Sequence, residues 1–369
     1  MFKAMKYFMC KFALSPIYYI CCLRPVDKDL VVLADGHQSV MPTSMMMVRK
    51  KLSEIPGVEV KEYFHDYSFG GHLRGFMTML RFMPLYARAR YVFISDSFIP
   101  VSSCRKRKGT TVVQLWHSSG LMKKIGYDSP EESGRVFPLQ YKNYDVFTVS
   151  SPLVGDTLSK AMRIPREVFA DSGVTLLDFN FNKDYIAAFR NNFYTLYPQY
   201  LNKKIVLWAP TFRGSPRDGY LVGQKEICRL KNELPDEYEV VIKTHRYSKH
   251  KEYDSDISYR ADMLIHVADI LITDYSSIYY DYLSRKLPIV LFCPDLEKYK
   301  AERGLYIDHD KLPGKHVKKY SELREAVLTA DSWADEEYRR RIDEVWEEHM
   351  SLCSGDSCDK LFRYIGLSD

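Results

Sequence analysis

Short apolar segments recur along the whole chain, and each is followed by a loop or by a helix signal. Segments of this kind are typical of strands that are buried on both faces of a parallel sheet. They are Leu30–Ala34, Val58–Phe64, Tyr91–Ser95, Thr111–Leu115, Asp145–Val149, Lys204–Trp208, Glu239–Lys243, Asp269–Thr273 and Pro288–Phe292. Because helical patterns alternate with these segments, the sequence predicts an α/β fold with doubly wound parallel sheets.

The length of the chain predicts two domains, since 369 residues exceed the usual size of one hydrophobic core. The first series of strands predicts a Rossmann-like domain over residues 29–175, after a basic amphipathic segment over residues 1–28. The second series predicts another Rossmann-like domain over residues 176–369, with charged C-terminal helices from Ser321. Two such domains are expected to bind ligands in the central cleft between their sheets.

The composition excludes some classes of protein. A net charge of +5 and a pI near 8.6 are too mild for a nucleic-acid-binding protein. The eight cysteines show neither CxxC pairs nor histidines at metal-binding spacing, so we predict free thiols in a reducing cytosol. No acidic cluster for a metal is apparent, so we predict no obligatory metal ligand from the protein. No apolar run reaches the length of a transmembrane helix. The apolar segment 12–23 is interrupted by Pro16 and is interpreted as uncleaved.

Two basic and apolar segments near the N-terminus point to a membrane surface. In residues 2–12, four apolar side chains share one helical face and three lysines share the other. In residues 72–90, four arginines alternate with Phe, Met and Leu side chains. Helices of this composition bind anionic membrane interfaces. Packing of the same apolar faces onto the domain core is the alternative.

Polar side chains follow the predicted strands at their carboxyl ends, which is where ligands bind in parallel α/β sheets. The candidates are His117, Gly120, Lys123 and Lys124 in the first domain, and Thr211, Arg213, Lys243, His245, Arg246, Asp274, Ser276 and Ser277 in the second. Neither GxxxxGK[ST] nor GxGxxG occurs, so the sequence has no Walker loop and no dinucleotide fingerprint.

The stretch Ala268–Asp281 predicts an anion site. Its apolar strand ends at Asp274, and a helix is predicted to begin at Ser276. A serine-capped helix start directs backbone N–H groups and the positive end of the helix dipole at one point. Because the basic candidates of the second domain are expected in the same crevice, we predict that the anion is a diphosphate.

His117 is the candidate general base. A histidine near its ordinary pKa of about 6.5 can take a proton from a hydroxyl at neutral pH. The alternative is a structural histidine that hydrogen-bonds a loop carbonyl.

Several motifs resemble those of the CDP-glycerol glycerophosphotransferases of teichoic-acid and capsule synthesis, in the same order and spacing. They are Gln114–Gly126, Trp208–Arg213, Ile242–His245, Asp269–Asp281, Arg303–Asp308 and Leu312–Gly314. The resemblance implies a GT-B fold and transfer of glycerol phosphate from CDP-glycerol to a hydroxyl of a lipid-linked acceptor, with release of CMP. CDP-ribitol is an alternative donor. A GT-B glycosyltransferase that uses a nucleotide sugar and a non-catalytic binding protein are alternative functions.

The resemblance also assigns roles to single residues. It implies two catalytic residues, His117, which matches the proposed base of the family, and His245. His245, Ser276 and Ser277 match groups that hold the donor diphosphate, with Arg213 beside them. Asp274 and Asp281 match family positions as substrate contacts or as residues that fix the loop and the helix. Two departures are Ser118, where many members have Gly, and Arg246, where many have Pro.

The resemblance implies no cofactor, since CDP-glycerol is a co-substrate. It implies a polyprenyl-diphosphate-linked acceptor, and hence an enzyme at the inner, cytoplasmic face of the cell membrane. The sequence does not indicate an oligomeric state, or whether one unit or many are added.

Overall fold

The computed structural model divides the chain into two compact units. It describes residues 2–67, 71–131, 140–214, 219–244 and 253–368, with the main chain alone at residues 2–9 and 72. Unit 1 contains Met1–His117, Ile125–Phe179 and Ser351–Asp369, and unit 2 contains Ser118–Lys124 and Asn180–Met350. Each unit is built on one parallel sheet, which confirms the predicted α/β class with two Rossmann-like halves.

Unit 1 carries a six-stranded parallel sheet in the order β2-β1-β3-β4-β5-β6. Its strands are β1 Asp27–Asp35, β2 Glu59–Phe64, β3 Ala89–Ile94, β4 Thr111–Gln114, β5 Val146–Thr148 and β6 Phe169–Ala170. The helices in its first two segments are α1 Phe2–Cys21, α2 Thr43–Leu52, α3 Gly71–Arg88, α4 Ile99–Ser103 and α5 Pro152–Met162. Strands β1 to β5 lie on predicted apolar segments.

The core of unit 1 forms because its central strands are apolar on both faces. Val32 of β1 pairs with Val92 of β3, and neither side chain has exposed surface. Helices α1 and α3 pack together, with the rings of Tyr18 and Tyr86 4.9 Å apart. Helix α1 continues through Pro16 as one element.

Unit 2 carries a five-stranded parallel sheet in the order β11-β10-β9-β7-β8. Its strands are β7 Lys204–Trp208, β8 Tyr238–Ile242, β9 Ile270–Thr273, β10 Ile289–Phe292 and β11 Lys315–Val317. Its helices are α6 Lys183–Leu196, α7 Gln224–Glu233, α8 Ala261–Leu264, α9 Ile278–Leu283, α10 Leu296–Glu302, α11 Tyr320–Leu328, α12 Ala330–Trp333 and α13 Glu336–Met350.

One face of the unit 2 sheet packs against α7 and α11. The apolar cluster includes Trp208 of β7, Ile227 of α7 and Leu323 of α11. Strands β7, β9 and β10 are neighbours in the sheet. The residues that follow these three strands therefore lie along one edge of the sheet.

The C-terminal segment belongs to unit 1, which differs from the predicted second domain over residues 176–369. Helix α14, Ser357–Tyr364, begins where the carboxylate of Asp178 accepts the N–H groups of Ser357 at 3.0 Å and Cys358 at 2.8 Å. Lys51 forms an ion pair with Asp359. Local sequence patterns do not show this boundary, since the Asp178–Ser357 bond joins residues 179 positions apart.

Two predictions about the chain as a whole can be compared with the structure. Among the helices that are described, none is both long and apolar enough to cross a membrane. All eight cysteines lie in the described ranges and are free thiols, as predicted.

Candidate functional site

His117 follows β4 in unit 1 and is oriented by the end of β3. Its Nδ1 lies 3.2 Å from the carbonyl oxygen of Ser95. Because a carbonyl only accepts hydrogen bonds, Nδ1 carries the hydrogen and Nε2 keeps its lone pair. The side chain is 50% exposed. The imidazole is therefore held in the tautomer that can accept a proton at Nε2.

Asp96 places a negative charge beside this imidazole. Its Oδ2 lies 3.7 Å from Nδ1 of His117 and 3.8 Å from Nδ1 of His37. A carboxylate at this distance favours the imidazolium that proton transfer would form. Sequence analysis missed both Asp96 and His37. The rule that indicated His117 could also have indicated Asp96, because Asp96 follows β3 just as His117 follows β4.

The backbone before His117 adopts a conformation that is rare for a bulky residue. Trp116 has a φ of 60°, in the left-handed region. The side chain of Gln114 accepts the Trp116 N–H at 3.0 Å and donates to the carbonyl of Asp96 at 3.1 Å. The indole packs against Phe147, with the ring centroids 5.2 Å apart. These contacts hold a strained turn in place, as is common at functional sites.

The segment after His117 is part of unit 2. The Lys124 N–H donates to the carbonyl of Gly304 at 3.0 Å, and Lys123 forms an antiparallel bridge with Leu305. Both lysine side chains are half-buried. Lys123 and Lys124 were predicted as substrate contacts. Their main chain bonds the segment 118–124 to the loop that contains Gly304 and Leu305.

Gly120 and Asp281 hold the same segment by close packing. Gly120 has a φ of 58°, and a Cβ atom there would lie 2.6 Å from the ring of Tyr280. Ser119 Oγ donates to the carboxylate of Asp281 at 2.7 Å. Asp281 is buried, and burial raises its pKa to about 7, with the bond from Ser119 opposing the rise. The geometry gives both predicted residues a positioning role.

Arg213 lies in a buried ion-pair network rather than in an open crevice. Its Nε and Nη2 donate to the two carboxylate oxygens of Asp295 at 2.8 and 3.1 Å. Nη2 also donates to Asp274 at 2.9 Å, and Nη1 donates to the carbonyl of Thr211 at 2.6 Å. These bonds use four of the five guanidinium hydrogens. The predicted phosphate ligand is therefore engaged mainly with the protein itself.

Two tyrosines and two carboxylates fix the charge of Arg213. The guanidinium lies 4.9 Å from the ring centroid of Tyr275 and 4.7 Å from that of Tyr299. Burial by itself would lower the pKa of Arg213, but Asp274 and Asp295 raise it above its usual range. Burial would raise the pKa of Asp295, but Arg213 holds it below its usual value. Asp295 was missed by sequence analysis, although it follows β10.

Thr211 and Lys243 are both fixed through other contacts. The Thr211 N–H donates to Asp274 at 2.8 Å. The hydroxyl of Thr211 is buried and has no hydrogen-bond partner in the part of the chain that is described. Lys243 Nζ donates to the carbonyl of Ile257 at 2.8 Å. The structure thus brings Thr211, Arg213 and Asp274 together and places the Lys243 amine on a different loop.

The expected serine cap is not formed. Helix α9 begins at Ile278 and spans only 6 residues, and its N-cap Ser277 has helical backbone angles with no side-chain cap bond. A side-chain cap requires an extended N-cap residue, which explains the difference. Ser276 and Ser277 remain half-buried next to Asp274. The predicted serine cap is therefore wrong, whereas the anion site at these two serines, in the turn after β9, stays a prediction.

His245 and Arg246, which were predicted as a catalytic residue and a substrate contact, lie outside the described residues. Their roles stay predictions.

Comparisons with known proteins identify relatives over nearly the whole chain. The family model "CDP-Glycerol:Poly(glycerophosphate) glycerophosphotransferase" matches residues 18–367. A teichoic acid ribitol-phosphate primase from Bacillus spizizenii is 29% identical over 94% of this chain and 93% of its own length. A teichoic acid glycerol-phosphate primase from Bacillus subtilis is 29% identical over 78% of this chain and 76% of its own. The chain spans only 50% of the B. spizizenii poly(ribitol-phosphate) polymerase.

The fold is also shared with a solved structure. The wall teichoic acid polymerase TagF superposes with a TM-score of 0.77 over 100% of this chain and 98% of that one, at 17% identity. This similarity shows a GT-B-like fold, as the resemblance implied. Since the family model covers nearly all of the sequence, the chain is an enzyme of the CDP-glycerol:poly(glycerophosphate) glycerophosphotransferase family.

Proposed function

We propose that this chain transfers a polyol phosphate from a CDP-activated donor to a hydroxyl of a lipid-linked teichoic-acid or capsule acceptor and releases CMP. The observation that carries the proposal is the state of His117, in which Ser95 holds the Nδ1 hydrogen and leaves Nε2 as a base. The relatives named for glycerol phosphate and ribitol phosphate support a polyol phosphate as the transferred group.

In the proposed step, Nε2 of His117 removes the proton of the acceptor hydroxyl while the hydroxyl oxygen attacks the phosphorus that bears the polyol. The bond from this phosphorus to the CMP oxygen breaks, and CMP leaves with the electron pair. Such a transfer needs positioning and charge neutralisation more than covalent help from the protein. Asp96, 3.7 Å from Nδ1, stabilises the imidazolium that results.

Unit 2 is proposed to bind the CDP donor. The candidate phosphate contacts are Thr211, Lys243, His245, Arg246, Ser276 and Ser277. The unpartnered Thr211 hydroxyl supports this assignment, because a buried polar group without a partner is costly unless a ligand supplies one. Arg213 contributes indirectly, since it holds Asp274 and Asp274 in turn holds the main chain of Thr211.

A donor panel tests the proposal. The protein is incubated with CDP-glycerol, CDP-ribitol or a nucleotide sugar and a synthetic polyprenyl-diphosphate-linked acceptor, and products are analysed by mass spectrometry. We expect the acceptor to gain the mass of a polyol phosphate with one CMP released per unit. CDP-glycerol is the expected donor. A gain in acceptor mass from CDP-ribitol alone would show that CDP-ribitol is the donor instead. A gain of a sugar, or no CMP release from either CDP-polyol, would contradict the proposal.

We further propose that unit 1 contacts the inner face of the cell membrane, where such an acceptor is found. Leu14 and Tyr18 of α1 are buried, which agrees with core packing, but Phe12 and Ile20 on the same helix are 68% and 66% exposed. On α3, Leu73 is 76% exposed. Apolar side chains exposed in this way suit a membrane interface.

A cavity of about 480 Å³ in unit 1 carries basic side chains close to the exposed Leu73. It is lined by His65, Leu73, Arg74, Met77, Thr78 and Arg81. Arg74 and Arg81 are exposed, whereas Arg88 donates to Asp27 at 2.8 Å and Arg90 donates to the carbonyl of Gly109 at 3.0 Å. Two of the four predicted arginines are therefore available to lipid phosphates.

Vesicle co-sedimentation tests the membrane proposal. Arg74→Gln/Arg81→Gln should reduce binding to vesicles with anionic lipid, and the charge-matched control Arg339→Gln/Arg363→Gln should not. Deleting residues 1–24 should reduce binding further. Equal binding by the wild type and both double variants would contradict the proposal.

A further inference from the structure

Two histidines and an aspartate form a cluster in unit 2 that the transfer reaction does not use. His309 and Asp310 lie in the short 3₁₀ turn His309–Lys311, and His316 lies in β11. One ligand atom from each residue, a ring nitrogen or a carboxylate oxygen, lies within 4.8 Å of the other two. No metal was predicted from the sequence, because no acidic cluster is apparent in it.

Backbone carbonyls fix the tautomer of both imidazoles. His309 Nε2 lies 3.3 Å from the carbonyl oxygen of Asp274, and His316 Nε2 lies 2.8 Å from that of Leu312. Since a carbonyl only accepts, each Nε2 carries the hydrogen and each Nδ1 keeps a lone pair. Metal-binding histidines are typically held in this way, with the second nitrogen donating to a carbonyl or carboxylate.

His309 provides an independent sign of a ligand-binding atom. The residue has no exposed surface, and its Nδ1 has no hydrogen-bond partner among the described residues. Cys293 contacts the same ring, but its Sγ lies 3.5 Å from Nε2, the opposite nitrogen. A buried acceptor without a donor costs stability, and a cation at Nδ1 would remove that cost.

The surroundings allow an ion to enter. The cluster borders a cavity of about 310 Å³, and Asp310 and His316 are exposed. The carboxylate of Asp310 lies 3.4 Å from Lys300 Nζ, an exposed ion pair that an incoming dication can displace. Glu322, also at the cavity, accepts the N–H groups of Lys318 and Lys319 and is not counted as a ligand.

We propose that Nδ1 of His309, Nδ1 of His316 and the carboxylate of Asp310 form a binding site for a divalent transition-metal ion, with Zn²⁺ as the best match. Two neutral imidazoles and one carboxylate suit Zn²⁺, and water fills its fourth position. The ion connects the 3₁₀ turn to β11. Through the hydrogen bond from His309 to Asp274, it also steadies the turn that holds Arg213 and Thr211.

The test is a Zn²⁺ titration of chelator-stripped protein by calorimetry. Wild-type protein should bind one Zn²⁺ at this site. His316→Gln and Asp310→Asn change exposed side chains that should not affect folding, and each should weaken that binding at least about tenfold. His65→Gln is the matched control, because it removes a histidine of unit 1 and should leave the affinity unchanged.

Co²⁺ provides a second readout. Its visible absorption bands should appear in wild-type protein and in His65→Gln, and should be much weaker in His316→Gln at the same Co²⁺ concentration. No Zn²⁺ binding by wild-type protein, or equal affinity in wild-type protein and His316→Gln, would overturn the proposal.

Discussion

His117 and Arg213 were both predicted as site residues that follow strands, yet the structure gives them opposite surroundings. The His117 side chain is 50% exposed, and its Nε2 is left as an acceptor. The Arg213 side chain is 6% exposed, and four of its five N–H groups are bonded within the protein. Position at a strand end therefore does not fix a role. The atoms that remain open for a substrate decide whether a residue reacts or holds the geometry.

The largest effect is expected from breaking the buried network. Arg213→Met leaves the buried Asp274 and the half-buried Asp295 without their cation, which should lower the free energy of unfolding by about 3–5 kcal/mol. Urea denaturation at pH 7 measures the change. Arg213→Lys keeps the charge but cannot bond both carboxylates in a fork. Its free energy of unfolding should therefore lie between those of wild-type protein and Arg213→Met. A loss below about 1 kcal/mol for Arg213→Met would show that the network is not structural.

His117→Ala should have the converse effect. Removing the base should lower kcat by about 10²-fold or more, while the free energy of unfolding changes by less than about 0.5 kcal/mol, as is usual at exposed positions. CDP-glycerol affinity, measured by calorimetry, should stay close to that of the wild type. A loss of donor affinity as large as the loss of kcat would show that His117 binds the donor instead of acting as the base.

Gly120→Ala tests the packing of the segment that follows His117. The new Cβ would lie 2.6 Å from the Tyr280 ring at a backbone φ of 58°, so strain and overpacking should together cost about 2–3 kcal/mol of unfolding free energy. Gly57→Ala is the matched control, because Gly57 has a φ of 83° with nothing within 4 Å of the new atom. Equal losses in the two variants would mean that the Tyr280 contact is not restrictive.

Asp96→Asn separates charge from tautomer at His117. Ser95 fixes the tautomer, so removing the Asp96 charge should lower kcat only about tenfold. A loss of about 10⁴-fold in kcat would instead show that the carboxylate of Asp96 sets the tautomer. Steady-state kinetics at pH 7 distinguish the two results.

Asp281 gives an effect of another kind, a dependence of stability on pH. Its folded pKa is about 7 against an ordinary value of 3.8, so between these values the folded state holds a proton that the unfolded state has lost. The free energy of unfolding should therefore fall as pH rises from about 4 to 7 and level off above. For this group the fall is at most about 1.4 kcal/mol per pH unit. Asp281→Asn should flatten it, and parallel pH profiles would contradict the assignment.

The fold was largely predictable because its signal is local. Apolar runs such as Ile270–Thr273 identify buried strands from a few adjacent residues. His117 was found by the same rule, since it follows such a strand. The return of the C-terminal segment to unit 1 was not predicted, because α14 is held there by bonds to Asp178, far away in sequence.

The roles of site residues depended on distant partners. Arg213 was predicted as a phosphate ligand because its engagement with Asp295, 82 positions away, is invisible in local sequence. Asp281 likewise depends on Ser119, 162 positions away. The serine cap was wrongly predicted for another reason, since residue type alone does not reveal that Ser277 has helical backbone angles.

The most direct test of this account measures the rate of CMP release from CDP-glycerol and the free energy of unfolding on the same preparations of wild-type protein, His117→Ala and Arg213→Met. We predict that His117→Ala loses about 10²-fold or more in rate with little change in the free energy of unfolding, and that the main effect of Arg213→Met is a lower free energy of unfolding. A wild-type rate of CMP release in His117→Ala would contradict the central claim that the open histidine carries out the proton transfer.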